Sequence, residues 1–178
     1  MPVQIGATTH AFSDPTGLLS DCHRRIETFL GSLQRVAKTI ECPLTADARS
    51  ALQSSLRYFQ DAAPKHTADE EESLFPRLRN IRDAVTENAL STLAALESDH
   101  VKANALHLEV HSLGSHCLDR GPLSADQADR FRQALSELAS IYKAHIRIED
   151  DVVFPAAKQA LSESDKSAIA EEMAARRR

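Results

Sequence analysis

Two stretches of the chain repeat one arrangement of side chains able to ligate a metal. His66, Glu70, Glu71, Glu72, Leu74, Phe75 and Pro76 recur in the same register as His145, Glu149, Asp150, Asp151, Val153, Phe154 and Pro155. Upstream of each lies a further histidine in similar surroundings, Leu19 to His23 in one case and Leu96 to His100 in the other. On a helix, residues i and i+4 stand one above the other on the same face. His66 with Glu70, and His145 with Glu149, are therefore placed to grip one ion or two adjacent ions. A buried, bare carboxylate on an apolar face is costly, and a cation removes that cost.

Helices must carry these residues. Asp14-Pro15 reads as an N-cap followed by proline at the first helical position. Leu18, Leu19, Cys22, Ile26, Phe29, Leu30, Leu33 and Val36 then keep a helical period until Cys42-Pro43 breaks it. Thr45 caps a second helix with Leu52, Leu56 and Phe59 on one face, interrupted near Pro64 and resuming towards Arg79. A third is predicted from about Asp83 to Cys117, and Gly121-Pro122 ends that region. Ser124 caps a fourth that runs to about Leu161, and Ser162 or Ser164 opens a short fifth. Pro76 and Pro155 each deny a bond to the carbonyl four residues earlier, so a kink is expected beyond each ligand turn.

Composition agrees. Five glycines, seven prolines and 4% aromatic residues leave little for the turns and strands of a sheet protein. The expected fold is all-α, an up-down-up-down four-helix bundle built from two helical-hairpin repeats that each bear a HxxxE. It forms a single domain over residues 1–178, with the bundle at about 14–160 and a short extra helix at about 162–175. A net charge of −5 gives no attraction for nucleic acid or anionic membrane. Arg176, Arg177 and Arg178 read as an exposed helix end. Three widely spaced cysteines make neither a disulfide framework nor a zinc site, and no apolar run approaches a membrane span. The expectation is a soluble, cytoplasmic protein.

The spacing also matches in depth. His23 and His66 lie 43 residues apart, and His100 and His145 lie 45 apart. Measured from the intervening turns, the ligands of neighbouring helices differ in height by only about a few ångströms at 1.5 Å per residue. Four imidazoles and two carboxylates at one level suit a dinuclear centre, with carboxylates bridging and neutral imidazoles accepting Fe, Mn or Zn.

With these motifs, residues 14–160 resemble the hemerythrin-like (HHE cation-binding) domains. A lone HxxxE is weak evidence, but two in register, with two further histidines and the Phe-Pro endings, are specific. The resemblance implies a non-haem di-iron site held by His23, His66, Glu70, His100, His145 and Glu149. It also implies two iron ions as cofactor, although ligand type alone allows Mn or Zn.

Oxygen-carrying hemerythrins differ in using HxxxH on the third helix and HxxxxD on the fourth. This chain contains His107 and His111 in the first spacing, and His145 and Asp150 in the second. A site from His23, His66, Glu70, His107, His111, His145 and Asp150 is therefore an alternative. The heights of His107 and His145 oppose it by about 15 Å. His10 or His107 as an extra ligand is a third arrangement. Otherwise His107 reads as core packing, His111 and His116 as surface residues and Cys22 as a small buried hydrophobe. Glu71, Glu72, Asp150 and Asp151 read as solvated acids or as acceptors for the outer N–H of ligating imidazoles.

The function expected is binding or sensing of O2, NO or redox state at a His/Glu dinuclear centre, with a small diatomic or peroxide ligand as partner. Histidine-rich ligation favours such a binder over a Glu-rich oxygenase. The alternatives are a di-iron enzyme or iron donor acting on peroxide, NO or iron–sulfur clusters, and an iron store or chaperone. No residue pattern names an organic substrate, an acid/base pair or a catalytic nucleophile.

Overall fold

A computed structural model of the chain describes residues 14–81 and 83–178, and those residues form helices and connecting turns with no strand. The protein is all-α. Helix α1 (Pro15–Ala37) opens where the Asp14 carboxylate accepts the Gly17 N–H at 3.0 Å. Helix α2 (Ala46–Asp61) opens on the Thr45 hydroxyl, and α3 (Ala63–Ala68) follows a break at Ala62, two residues before Pro64. Helices α4 (Phe75–Arg79) and α5 (Glu87–Arg120) come next. The third long helix thus begins four residues later than predicted, because Asp83 instead closes a turn with its carboxylate on the N–H groups of Val85 and Thr86.

Helix α6 (Ala125–Ile148) starts in a reciprocal cap. The Ser124 hydroxyl accepts the Gln127 N–H while the Gln127 side chain accepts the Ser124 N–H. Gly121, at φ 99°, makes the preceding turn in the left-handed region that a side chain disfavours. Helix α7 (Phe154–Ala160) is short, and α8 (Glu163–Ala175) is capped by Ser162.

The kinks expected before Pro76 and Pro155 take a definite form. Each ligand segment widens into a π-helical turn, Asp69–Leu74 and Glu149–Val153. In the first the Phe75 N–H reaches back five residues to the Glu70 carbonyl, and in the second Phe154 does the same to Glu149. One extra residue per turn lets the helix run into a proline that cannot donate.

Two compact units make up the chain. The first comprises the described residues up to Arg25, Pro64–Ser98 and Ala144–Arg178. Its apolar core includes Leu19, Leu74, Phe75, Leu93, Leu96, Phe154, Ile169 and Met173. The second comprises Ile26–Ala63 and Asp99–Lys143, with Leu33, Leu52, Phe131 and Leu138 fully enclosed. There α2 approaches α5 closely at Gly114, where a Cβ would stand 2.8 Å from Leu56 Cδ1. Among the described residues no helix is long and apolar enough to cross a membrane.

Candidate metal centre

Helix α1 supplies His23, α3 supplies His66, α6 supplies His145, and the two π-turns supply Glu70 and Glu149. All five side chains are buried, and both carboxylates are fully enclosed. The imidazoles point the same nitrogen inward. His66 Nε2 lies 3.2 Å from Glu70 Oε1, and His145 Nε2 lies 3.1 Å from Glu149 Oε2. His23 Nε2 sits 3.1 Å from Glu149 Oε2 and 3.8 Å from Glu70 Oε1.

Proximity here is not hydrogen bonding. His23 Nε2 and both oxygens of Glu149 are buried without a hydrogen bond of acceptable geometry. Nitrogen and oxygen lone pairs facing one point, out of water, suit a shared cation better than each other. The described residues contain two groups whose ligand atoms lie within 4.8 Å of one another: His23, His66, Glu70 and Glu149, and then Glu70, His100, His145 and Glu149. Glu70 and Glu149 belong to both. His100, on α5, is the half-buried member of the second.

Around this centre the outer nitrogen of His23 has a partner. Asp150 Oδ1 lies 3.2 Å from His23 Nδ1 and accepts the Ser20 hydroxyl at 2.6 Å. Burial pushes the His23 imidazole down, but Asp150, Glu149 and Glu70 outweigh it and hold it well above its ordinary value. Burial also lowers His66, and Glu70 reverses the sign, leaving it raised. Phe154 stacks on His23 with ring centres 5.3 Å apart, and His66 meets His23 edge-on at 5.0 Å.

Cys22 is buried, as a small hydrophobe would be, yet Arg25 Nη2 donates to its sulfur at 3.0 Å. Burial raises its thiol, whereas a hydrogen bond with His66 and the charges of Arg25 and Arg177 bring it below the ordinary value.

The other histidines go elsewhere. His107 packs in the second unit, stacked on Phe59 at 4.3 Å and hydrogen-bonded to the Tyr142 hydroxyl at 2.8 Å. His111 and His116 are half-buried, with the Ser115 hydroxyl near His111. Neither His107, His111 nor Asp150 joins a metal-competent group among the described residues. His10 lies outside the described residues.

One sequence expectation holds only in part. Arg177 and Arg178 are exposed as expected, but Arg176 is half-buried and the basic end is not free of partners. Arg176 and Arg177 donate to Asp69, a fully buried carboxylate that sequence reasoning passed over. The available signal was a mismatch in the repeat, since the position matching Asp69 in the second half is Ile148.

Comparison with known proteins agrees with this geometry. A family profile, the hemerythrin HHE cation binding domain, matches residues 14–157. The chain belongs to that family. Its metal-binding character follows, and the buried His/Glu groups lie inside the matched span. An uncharacterized protein of Haemophilus influenzae is 27% identical over 168 residues, covering 93% of this chain and 91% of that protein.

Proposed function

We propose that the whole chain acts as one domain holding two iron ions through His23, His66, Glu70, His100, His145 and Glu149. In this reading it binds or senses O2, NO or redox state there. The observation that carries the reading is the convergence of three inward Nε2 atoms on two enclosed carboxylates, which are common to both ligand groups. A carboxylate shared between two groups is what a dinuclear centre requires of its bridging ligands.

The residues have distinct tasks. Glu70 and Glu149 offset cationic charge in an interior that has little water to do so. Asp150 holds the proton on His23 Nδ1, which leaves Nε2 as the lone-pair donor. Phe154, flat on the His23 ring, fixes its plane and excludes solvent from that side. A bound iron pair supplies reversible redox change and an open position for a small ligand. Six protein ligands rich in histidine suit reversible binding more than the highly anionic sets that support oxygenation.

The test combines two measurements. Protein purified after iron-replete expression should contain close to two iron ions per chain, located by anomalous scattering at the two groups. After anaerobic reduction, exposure to air or NO should change the visible spectrum reversibly. Steady consumption of peroxide or NO with a reductant would instead establish the enzyme alternative, and transfer of iron to an apo cluster protein the donor alternative. A stably folded but metal-free protein from such cells would overturn the reading.

A further inference from the structure

The end of α8 is tied to the first ligand turn by charge. Arg176 Nη1 donates to Asp69 Oδ1 at 3.0 Å and to the Ser73 hydroxyl at 2.9 Å, while its Nη2 donates to Glu72 at 3.1 Å. Arg177 Nη2 donates to the other Asp69 oxygen. Beyond the turn, Arg77 grips Glu172 of α8 through two bonds, at 2.8 and 3.1 Å, and donates to the Ser73 carbonyl at 2.9 Å.

The repeat supplies an internal comparison. Asp69 and Ser73 correspond to Ile148 and Val152 in the second half, and those two are apolar residues packed against the core of the first unit. At these two positions the second π-turn is seated by apolar packing and the first by directional, charge-assisted bonds. Apart from the arginines, Ile169, Ala170 and Met173 bury the inner face of α8. What the arginines add is a fixed position for Asp69. Its neighbour in the chain is Glu70, which belongs to both metal-competent groups. A buried carboxylate that loses its cations is strongly destabilised, so the turn would have to move to rehydrate it.

We propose that Arg176 and Arg177 are positioning residues: through Asp69 they set the first π-turn, and so make the grip of Glu70 on metal depend on the end of α8. The consequence for metal rests on the dinuclear reading given above, whereas the positioning of the turn does not. The two fail separately in the following experiment.

The full chain is compared with Arg176→Gln/Arg177→Gln, with Asp69→Asn, and with all three changes combined. Asp69→Asn removes the buried charge itself, so it and the triple variant leave no orphaned carboxylate to unfold the protein. The first readout is amide exchange in the metal-free chain at Phe75, whose N–H closes the π-turn on Glu70. The matched Phe154 amide serves as the internal control. The second is chelator-driven loss of Co(II) from the loaded chain.

Each variant should exchange faster at Phe75 and not at Phe154, and should release Co(II) roughly 10–100-fold faster than wild type. In the Asp69→Asn background the arginine changes should add less than they do in wild type, because Asp69 joins both arginines to the turn whereas Ser73 and Glu72 hold Arg176 alone. Unchanged Phe75 exchange, equal acceleration at Phe154, or additive effects would overturn the proposal. If wild type takes up no metal, the dinuclear reading falls and the exchange arm still decides whether the arginines set the turn.

Discussion

Asp150 stands on the outer nitrogen of His23, 3.2 Å from Nδ1, while the inner nitrogen of the same ring lies 3.1 Å from Glu149. Adjacent residues of one π-turn thus address opposite edges of one imidazole. An α-helical turn sets neighbours about 100° apart, and the wider π-turn reduces that angle. Ser20, one turn before His23 on α1, donates to the same Asp150 oxygen and fixes the carboxylate. The ring is held at its outer nitrogen, and its inner nitrogen faces Glu149 without a hydrogen bond.

Removing that outer contact should weaken metal binding without removing a ligand. For Asp150→Ala the expected loss in affinity is roughly 10–100-fold, measured by chelator competition. Asp150→Asn, which keeps an acceptor for the Nδ1 proton, should lose less. Equal affinity in wild type and Asp150→Ala would mean that the ring is oriented by Phe154 alone.

Shared and unshared ligands should separate by stoichiometry. His100→Ala removes a side chain found in one group only, so metal content should fall from about two ions per chain to about one. Glu149→Ala removes a member of both groups and should bring the content close to zero. Mass-spectrometric metal analysis of the purified proteins decides the matter. Retention of both ions in Glu149→Ala would show that the carboxylate does not bridge.

How far these relationships could be read beforehand depended on their range in sequence. The caps at Asp14, Thr45, Ser124 and Ser162 are local, and each opens the helix expected of it. The register of His66 with Glu70, and of His145 with Glu149, is a four-residue spacing repeated at a long interval, so it too was legible. The π-turns were not, because hydrophobic periodicity averages over several turns and is blind to one inserted residue. Only the prolines at Pro76 and Pro155 hinted at a departure. The Arg176–Asp69 contact joins residues 107 apart. No local pattern encodes it, and a basic run at a helix end ordinarily means solvent.

Phe154 offers a check on packing at the site. Its ring is almost fully buried and lies against His23 with an interplanar angle of 15°. Phe154→Ala should destabilise the metal-free chain by about 3–5 kcal/mol in denaturant titration. Phe154→Leu should recover much of that stability but not the flat contact with the imidazole. A loss below about 1 kcal/mol for the alanine variant would mean that the neighbouring chains close the space.

His107 predicts an acid sensitivity separate from the metal site. Burial between Phe59 and Tyr142 lowers its imidazole from 6.5 to about 4. Because the folded ring is the weaker base, the unfolded chain binds more protons between those two values. Stability from this residue is therefore complete above pH 6.5 and lost as the pH falls towards 4, by about 1.4 kcal/mol per pH unit at most and about 3 kcal/mol in total. His107→Phe keeps the stack on Phe59 and gives up the hydrogen bond to Tyr142, which costs about 1 kcal/mol at pH 7. Unfolding free energies of the metal-free chains should consequently converge as the pH is lowered, and the variant should become the more stable of the two near pH 4.5. Parallel profiles across that interval would show that His107 takes up its proton without leaving the fold.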